Sequence, residues 1–175
     1  DDDISGIIER NAIGRRATLL LDKKFMAGVA PCFNSPNMRD FQGMAGYGAI
    51  WRGIINDQPD WVEIVTWNDY NEDSNLMPAR WPFGQERRFQ VRDESFLDVT
   101  AYYASWYKTG RQPAITQDKV YLVYRNRSRW LTKAYDTKTG EWTDILAQPY
   151  PFDQIHDDAR DLVYVTAFLT APAKL

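Results

Sequence analysis

Apolar positions change their spacing along this chain, and the changes mark out its elements. Ile4, Ile7 and Ile8, followed by Ile13, Leu19, Leu20 and Leu21 with charged residues between, predict a helix over 4–24 that Gly6 and Gly14 interrupt. The run from Phe25 to Phe33 is short, apolar and bounded by Asn34-Ser35-Pro36, as a buried parallel strand would be. Residues 37–48, rich in glycine and polar side chains, read as a long loop, and Ala49 to Ile55 as a helix. Trp61-Val62-Glu63-Ile64-Val65-Thr66-Trp67 is the clearest strand, β-branched and aromatic with turn formers at both ends. A polar loop runs from Asn68 to about Glu94. Phe96, Val99, Tyr102, Tyr103 and Trp106 then recur at helical spacing until Gly110, a good helix stop.

Beyond Pro113 the texture changes. Val120 to Tyr124 and Leu162 to Leu169 read as strands, with turn residues Asp136 to Gly140 and Pro149-Tyr150-Pro151 between them. Alternating strands and helices point to a parallel sheet or barrel, and a strand-only tail to a second, β domain. A (β/α)8 barrel takes about 250 residues, and this chain offers about two strands and three helices of one. Two parallel strands alone would leave their edges and faces uncovered. The expected fold is therefore α/β: the C-terminal portion of a (β/α)8 TIM-type barrel over residues 1–112, then part of an all-β, sandwich-like domain over 113–175. The chain opens on Asp1-Asp2-Asp3 without an initiator Met or an apolar leader, which fits a piece of a longer protein.

Composition narrows the chemistry. The chain has 175 residues, 44% of them hydrophobic, enough for a packed core. A net charge of −3 provides no basic footprint for nucleic acid, and no apolar run reaches the roughly 18–20 residues of a membrane span. One cysteine excludes an internal disulfide, and with one histidine it excludes a Cys/His zinc centre. A nucleophilic pair could be drawn between Cys32 and His156, but nothing around either residue supports it. Aromatics make up 14% of the chain; exposed faces of such rings stack on sugars, but aromatics fill cores more often.

Candidate chemistry collects after the clearest strand, in Thr66-Trp67-Asn68-Asp69-Tyr70-Asn71-Glu72-Asp73-Ser74-Asn75. In parallel α/β architectures that end of a strand carries the active site. Asp69 and Glu72 are three residues apart. In a helical turn their Cβ atoms would lie about 5–6 Å apart; in extended chain their Cα atoms could be up to about 10 Å apart. Glycoside hydrolysis asks for two carboxyls about 5–5.5 Å apart for retention or about 6.5–9.5 Å for inversion, so the spacing allows both outcomes. The same segment opens like a calcium loop, but Ser74 and Arg80 stand where such a loop needs Gly and Glu. No metal site is expected.

These residues carry a resemblance. Val62 to Glu72 is similar to the signature of glycoside hydrolase family 71, the α-1,3-glucanases or mutanases, mostly fungal. Met26-Ala27-Gly28-Val29-Ala30-Pro31 with Phe33 resembles the preceding barrel strand of that family. Tyr103, Lys108-Thr109-Gly110 and Asp118-Lys119-Val120-Tyr121 with Tyr124-Arg125 resemble the helix and linker after its site. Val163 to Ala173 resembles the start of its C-terminal β domain.

The resemblance implies a secreted or cell-wall-associated, endo-acting, inverting hydrolase of α-1,3-glucan that needs no cofactor. It places the catalytic carboxyls on Asp69 and Glu72, with Glu72 as acid, Asp69 as base and the order of the two reversible. Trp67 and Tyr70 become candidates to stack on a sugar, and Asn68 to bind a hydroxyl. Alternation within the strand would equally make Trp67 a barrel-core residue. The chain departs from the family at Asn71, where a Gly is usual. It departs again at Asp73-Ser74-Asn75, which replace a Ser-His-Tyr run and its sugar contacts. Asn126-Arg127-Ser128 fits an N-glycosylation pattern. The alternative function is a polysaccharide-binding protein or pseudoenzyme that keeps the aromatics but lacks a complete site.

Overall fold

The computed structural model describes residues 3–34, 38–39, 41–70, 72, 74–78, 92–124, 133–136, 138–144 and 162–174. Asn71, Asp73, Arg80, Asn126, Pro149 and His156 lie outside them.

The first helix, α1, spans Asp3–Leu20. It ends four residues before the boundary expected from its leucines, because the chain turns back there to enter a strand. Leu21 N–H donates to Ala17 O at 3.2 Å and Lys23 N–H to Thr18 O at 2.8 Å, with Asp22 at φ 51°. Strand β1, Met26–Val29, follows. It is shorter than its apolar run because buried Pro31 lacks the N–H that would continue the ladder. Two-residue strands β2 (Phe33–Asn34) and β3 (Met38–Arg39) pair antiparallel.

Helix α2 spans Met44–Asp57, starting well inside the stretch that reads as a loop. Its glycines lower intrinsic helix propensity by about 1 kcal/mol each, but Gly46 and Gly48 are needed: a Cβ on Gly46 would collide with Phe41 O. A Cβ on Gly48 would stand 2.5 Å from the Tyr103 hydroxyl, so a side chain there would push the helices apart. Met44, Tyr47, Ile50, Trp51 and Ile54 form its buried stripe at helical spacing.

Strand β4, Trp61–Ile64, pairs parallel with β1 in the register Met26↔Trp61 to Val29↔Ile64. Alternation then sorts the sheet. Ala27 and Val29 are buried towards the helices, while Met26 and Trp61 are more than half exposed on the opposite face. On α1, the Asn11 side-chain amide donates to Gly28 O at 3.0 Å and accepts from Gly28 N–H at 3.3 Å, taking both polar groups of that residue.

Helix α3, Ser95–Thr109, covers the core as its periodicity predicts, and Gly110 closes it at φ 68° with its N–H on Trp106 O. Tyr47 sits edge-on to Trp51 and Phe96, and Trp51 stacks with Tyr103 at 6.3 Å. Thr100 donates to Phe96 O at 2.6 Å, so the buried Tyr47 hydroxyl is the donor in its 2.8 Å bond to Thr100. Burial raises the Tyr47 phenol above its ordinary pKa.

Strands follow. β5 (Lys119–Tyr124) pairs antiparallel with β8 (Val163–Phe168), and the hairpin β6 (Lys133–Asp136) and β7 (Glu141–Asp144) closes around the expected turn. One face of the β5–β8 ribbon lies on α3: Phe168 meets the Tyr102 ring at 4.8 Å, and Asp98 accepts from Lys119 at 2.6 Å and from Tyr121 at 3.1 Å. Burial and the Asp98 charge push the Tyr121 phenol up to about 12. Gly43, at φ 62° before α2, lets the ribbon close on the helix; a Cβ there would stand 3.0 Å from the Cβ atoms of Tyr164 and Val123. On the other face Val120, Leu122, Tyr124, Val163 and Val165 are exposed.

The N-terminal ends of β1 and β4 are pinned by Asp60. Its carboxylate accepts from Lys24 at 2.7 Å, Arg15 at 3.0 Å and Phe25 N–H at 3.1 Å. The Lys24 and Phe25 hydrogen bonds hold its pKa below the usual carboxylate range. A lowered folded pKa stabilises the fold at any pH above the unfolded value and is lost as pH falls through the folded one. Asp60→Asn is therefore expected to lower Tm near neutral pH, with the gap to the native protein closing below about pH 4. A thermal melt series across pH checks this. Trp51→Ala, at a position 1% exposed, is expected to cost about 3–5 kcal/mol in urea unfolding.

Candidate active-site loop

The β1–β4 ladder runs one bond past the strand, Val65 N–H donating to Val29 O at 2.9 Å. Across a cis Val65–Thr66 peptide the chain then leaves the sheet. Thr66 N–H donates to Ser74 O at 2.9 Å, Leu76 N–H returns to Thr66 O at 2.9 Å, and Met77 N–H reaches Trp67 O at 2.8 Å. Residues 74–77 thus run beside Thr66 and Trp67 as the inner wall of the loop. Residues 67–70 and 72 belong to the turn that this wall carries.

Bonds short in sequence shape the turn. Thr66 Oγ1 accepts Asp69 N–H at 2.9 Å, Asp69 Oδ1 accepts Glu72 N–H at 3.2 Å, and Asp69 O accepts Ser74 N–H at 3.2 Å. This is the local side-chain capping that Thr and Asp perform in turns. It ties the Asp69 side chain to the Glu72 backbone. With Asp69 Oδ1 at 3.2 Å from the Glu72 nitrogen, bond lengths keep the two carboxyl carbons within about 9–10 Å of each other. The retaining and inverting windows both lie inside that reach.

Asp69, Tyr70 and Glu72 are half-buried and Asn68 is exposed. Trp67 is 56% exposed. The strand alternation that offered it a place in the core stops at Thr66, where the backbone hands its hydrogen bonds to residues 74–76 instead of a neighbouring strand. The five residues singled out in the sequence thus share one turn at the C-terminal end of β4, beside the end of β1. Among the described residues no group of three or more His, Cys, Asp or Glu could hold a metal ion, and no helix is long and apolar enough to cross a membrane.

Sequence reasoning missed the residues that hold the turn: Thr66, Ser74, Asn75 and Arg92. Ser74 and Asn75 are fully buried, and the Asn75 amide donates to Met77 O at 2.8 Å. The available signal was Leu76-Met77, an apolar pair inside a polar loop, which marks where the segment turns inward. Arg92 had no such signal, since its partners are distant in sequence.

Thr66→Val keeps the shape and removes the acceptor for Asp69 N–H. Losing one hydrogen bond worth about 1 kcal/mol is expected to speed amide exchange at Asp69 about fivefold. The amides of Val29 and Ile64 should keep their native rates, as hydrogen-exchange NMR would show.

Comparison with known proteins agrees with the family resemblance. The model of glycosyl hydrolase family 71 matches residues 15–175. A mutanase of Penicillium rubens is 25% identical over 89% of this chain, and a glucan endo-1,3-alpha-glucosidase of Schizosaccharomyces pombe is 28% identical over 83% of it. An ascus wall endo-1,3-alpha-glucanase of the same yeast is 37% identical over 34% of the chain. The chain spans 34% of the length of the first two relatives. Among solved structures, the GH99 endo-alpha-mannosidase from Bacteroides thetaiotaomicron superposes with a TM-score of 0.51 at 17% identity, over 61% of this chain and 35% of that one. That likeness is one of fold alone, the α/β architecture of a TIM-barrel enzyme.

Proposed function

This chain belongs to glycosyl hydrolase family 71, and from that premise we propose that it carries the catalytic carboxyls of an endo-acting α-1,3-glucan hydrolase. Residues 1–112 form the C-terminal part of its barrel and residues 113–175 the start of a β domain. The polymer is a component of cell walls, and the enzyme works on it outside the cell. The observation that carries the reading is the Asp69–Glu72 turn, closed by the 3.2 Å bond from Glu72 N–H to Asp69 Oδ1 at the C-terminal end of β4. An Asp and a Glu carried by one turn at the C-terminal end of a strand fit the pair of carboxyls that glycosidic cleavage requires.

In the inverting mechanism Glu72, protonated, gives its proton to the departing glycosidic oxygen. Asp69, ionised, takes a proton from the water that attacks the opposite face of the sugar. Asp69 is the anchored, hydrogen-bond-accepting carboxyl, which suits a group that must aim a water. Glu72 has the longer side chain and the reach for the leaving oxygen. Trp67 offers an exposed indole on which a glucose ring can stack, Tyr70 a second ring, and Asn68 an amide for a hydroxyl. No cofactor takes part in these steps.

Asp69→Asn and Glu72→Gln, each made in the native gene product, are expected to lower kcat on α-1,3-glucan by about 10²- to 10⁴-fold while sedimentation with insoluble glucan stays near native. Proton NMR of the first product should show the β anomer. Full activity in both variants would overturn the assignment. A native protein that sediments with glucan and releases no sugar would favour the binding-protein alternative.

A further inference from the structure

We propose that Arg92 is a positioning residue for this reaction, holding the loop that presents Asp69 and Glu72; the inference rests on the hydrolase reading above. Arg92 is only 5% exposed, an unusual place for a guanidinium, which is costly to remove from water unless its donors are used. Its Nη1 donates to Asn75 O, its Nη2 donates to Cys32 Sγ at 3.1 Å, and its Cζ lies 4.6 Å from the centre of the Phe96 ring. One planar group thereby joins the segment after β1, the inner wall of the loop and the first turn of α3.

Arg92 reaches the carboxyls through the backbone. Asn75 follows Ser74, whose N–H holds Asp69 O at 3.2 Å and whose carbonyl accepts Thr66 N–H at 2.9 Å. Thr66 Oγ1 in turn holds Asp69 N–H at 2.9 Å. Displacing Asn75 therefore moves both attachments of Asp69, and Glu72 with it. Lysine cannot replace this clamp, because an ammonium lacks the flat fork that meets two acceptors while lying over a ring.

The test uses the native gene product with Arg92→Lys, Arg92→Ala and Asp69→Asn. A misplacement of about 1 Å at a reacting group can cost about 100-fold in rate, so Arg92→Lys is expected to lower kcat about 10- to 100-fold with KM for soluble α-1,3-gluco-oligosaccharides near native. Added guanidinium chloride at non-denaturing concentration should restore activity to Arg92→Ala, by refilling the site, and should do nothing for Asp69→Asn. Native kcat in Arg92→Lys alongside an inactive Asp69→Asn would overturn the role of Arg92 and leave the hydrolase reading standing. Native kcat in both would overturn that reading itself. A loss in Arg92→Lys that tracks a fall in Tm and disappears on cooling would show a structural role only, and also overturns the proposal. Should Arg92→Ala fail to fold, the kcat and KM of Arg92→Lys decide.

Discussion

The parallel pairing of β1 with β4 is the constraint from which the rest follows. Two parallel neighbours cannot be joined by a tight turn, so the chain between Val29 and Trp61 must return along the sheet to its starting edge. Helix α2 makes that return and buries its Tyr47, Ile50, Trp51 and Ile54 stripe in the core. Parallel pairing also sends both strands out of the same edge. Cys32 and the loop that Thr66 opens therefore emerge side by side, close enough for Arg92 to touch both Cys32 and Asn75. The opposite ends are tied by Asp60, whose carboxylate gathers Arg15, Lys24 and Phe25 N–H. Stability devices collect at one end of the sheet and candidate chemistry at the other, the division expected of barrel strands.

What the sequence revealed depended on how local the cause was. Helix α3 was legible because Phe96, Val99 and Tyr103 obey its period and Gly110 supplies the left-handed stop without help from elsewhere. The core of β4 was legible from its β-branched run. The start of α2 was not, since Gly46 and Gly48 read as loop residues, and the space that a side chain would take is filled by Phe41 O and Ile4 at the first and, at the second, by Tyr103, more than fifty positions away. The end of β4 was misjudged for a related reason: Thr66 and Trp67 have strand-like side chains, but their backbone groups are claimed by Ser74, Leu76 and Met77. The Asp69–Glu72 pair could be picked out by spacing and resemblance. The pieces that aim it could not, because Ser74, Asn75 and Arg92 look like surface residues and become buried only through contacts that span the chain.

The aromatic content splits along the same line. Tyr47, Trp51, Phe96 and Tyr103 form a continuous set of edge-on and stacked rings between α2 and α3, and Tyr102 hands that set on to Phe168 of β8. These rings act as packing, with their hydroxyls spent on Thr100 and Arg52. Trp67 is of a different kind. It sits on the candidate loop with more than half its surface open, although a large ring is costly to leave in water when a core is nearby. Composition alone could not separate the packed rings from the open one; position in the hydrogen-bond pattern does.

A loop that must aim two carboxyls faces a conflict, since polar turns are ordinarily the least rigid part of a domain. Here the turn is stiffened from behind. Residues 74–76 are buried, backbone groups of Ser74, Leu76 and Met77 bond to Thr66 and Trp67, and a guanidinium with its own partners anchors Asn75. The carboxyl-bearing residues need no burial of their own, because the order of the wall is transmitted to them through Thr66 Oγ1 and Asp69 O. Asp69 and Glu72 can then stay half open while the backbone of Asp69 is tied at both its N–H and its carbonyl. Replacing the wall with an ordinary polar loop would leave the same two acids at the same spacing in sequence, but with no fixed spacing in space. It is the separation in space that acid–base catalysis at a glycosidic bond depends on.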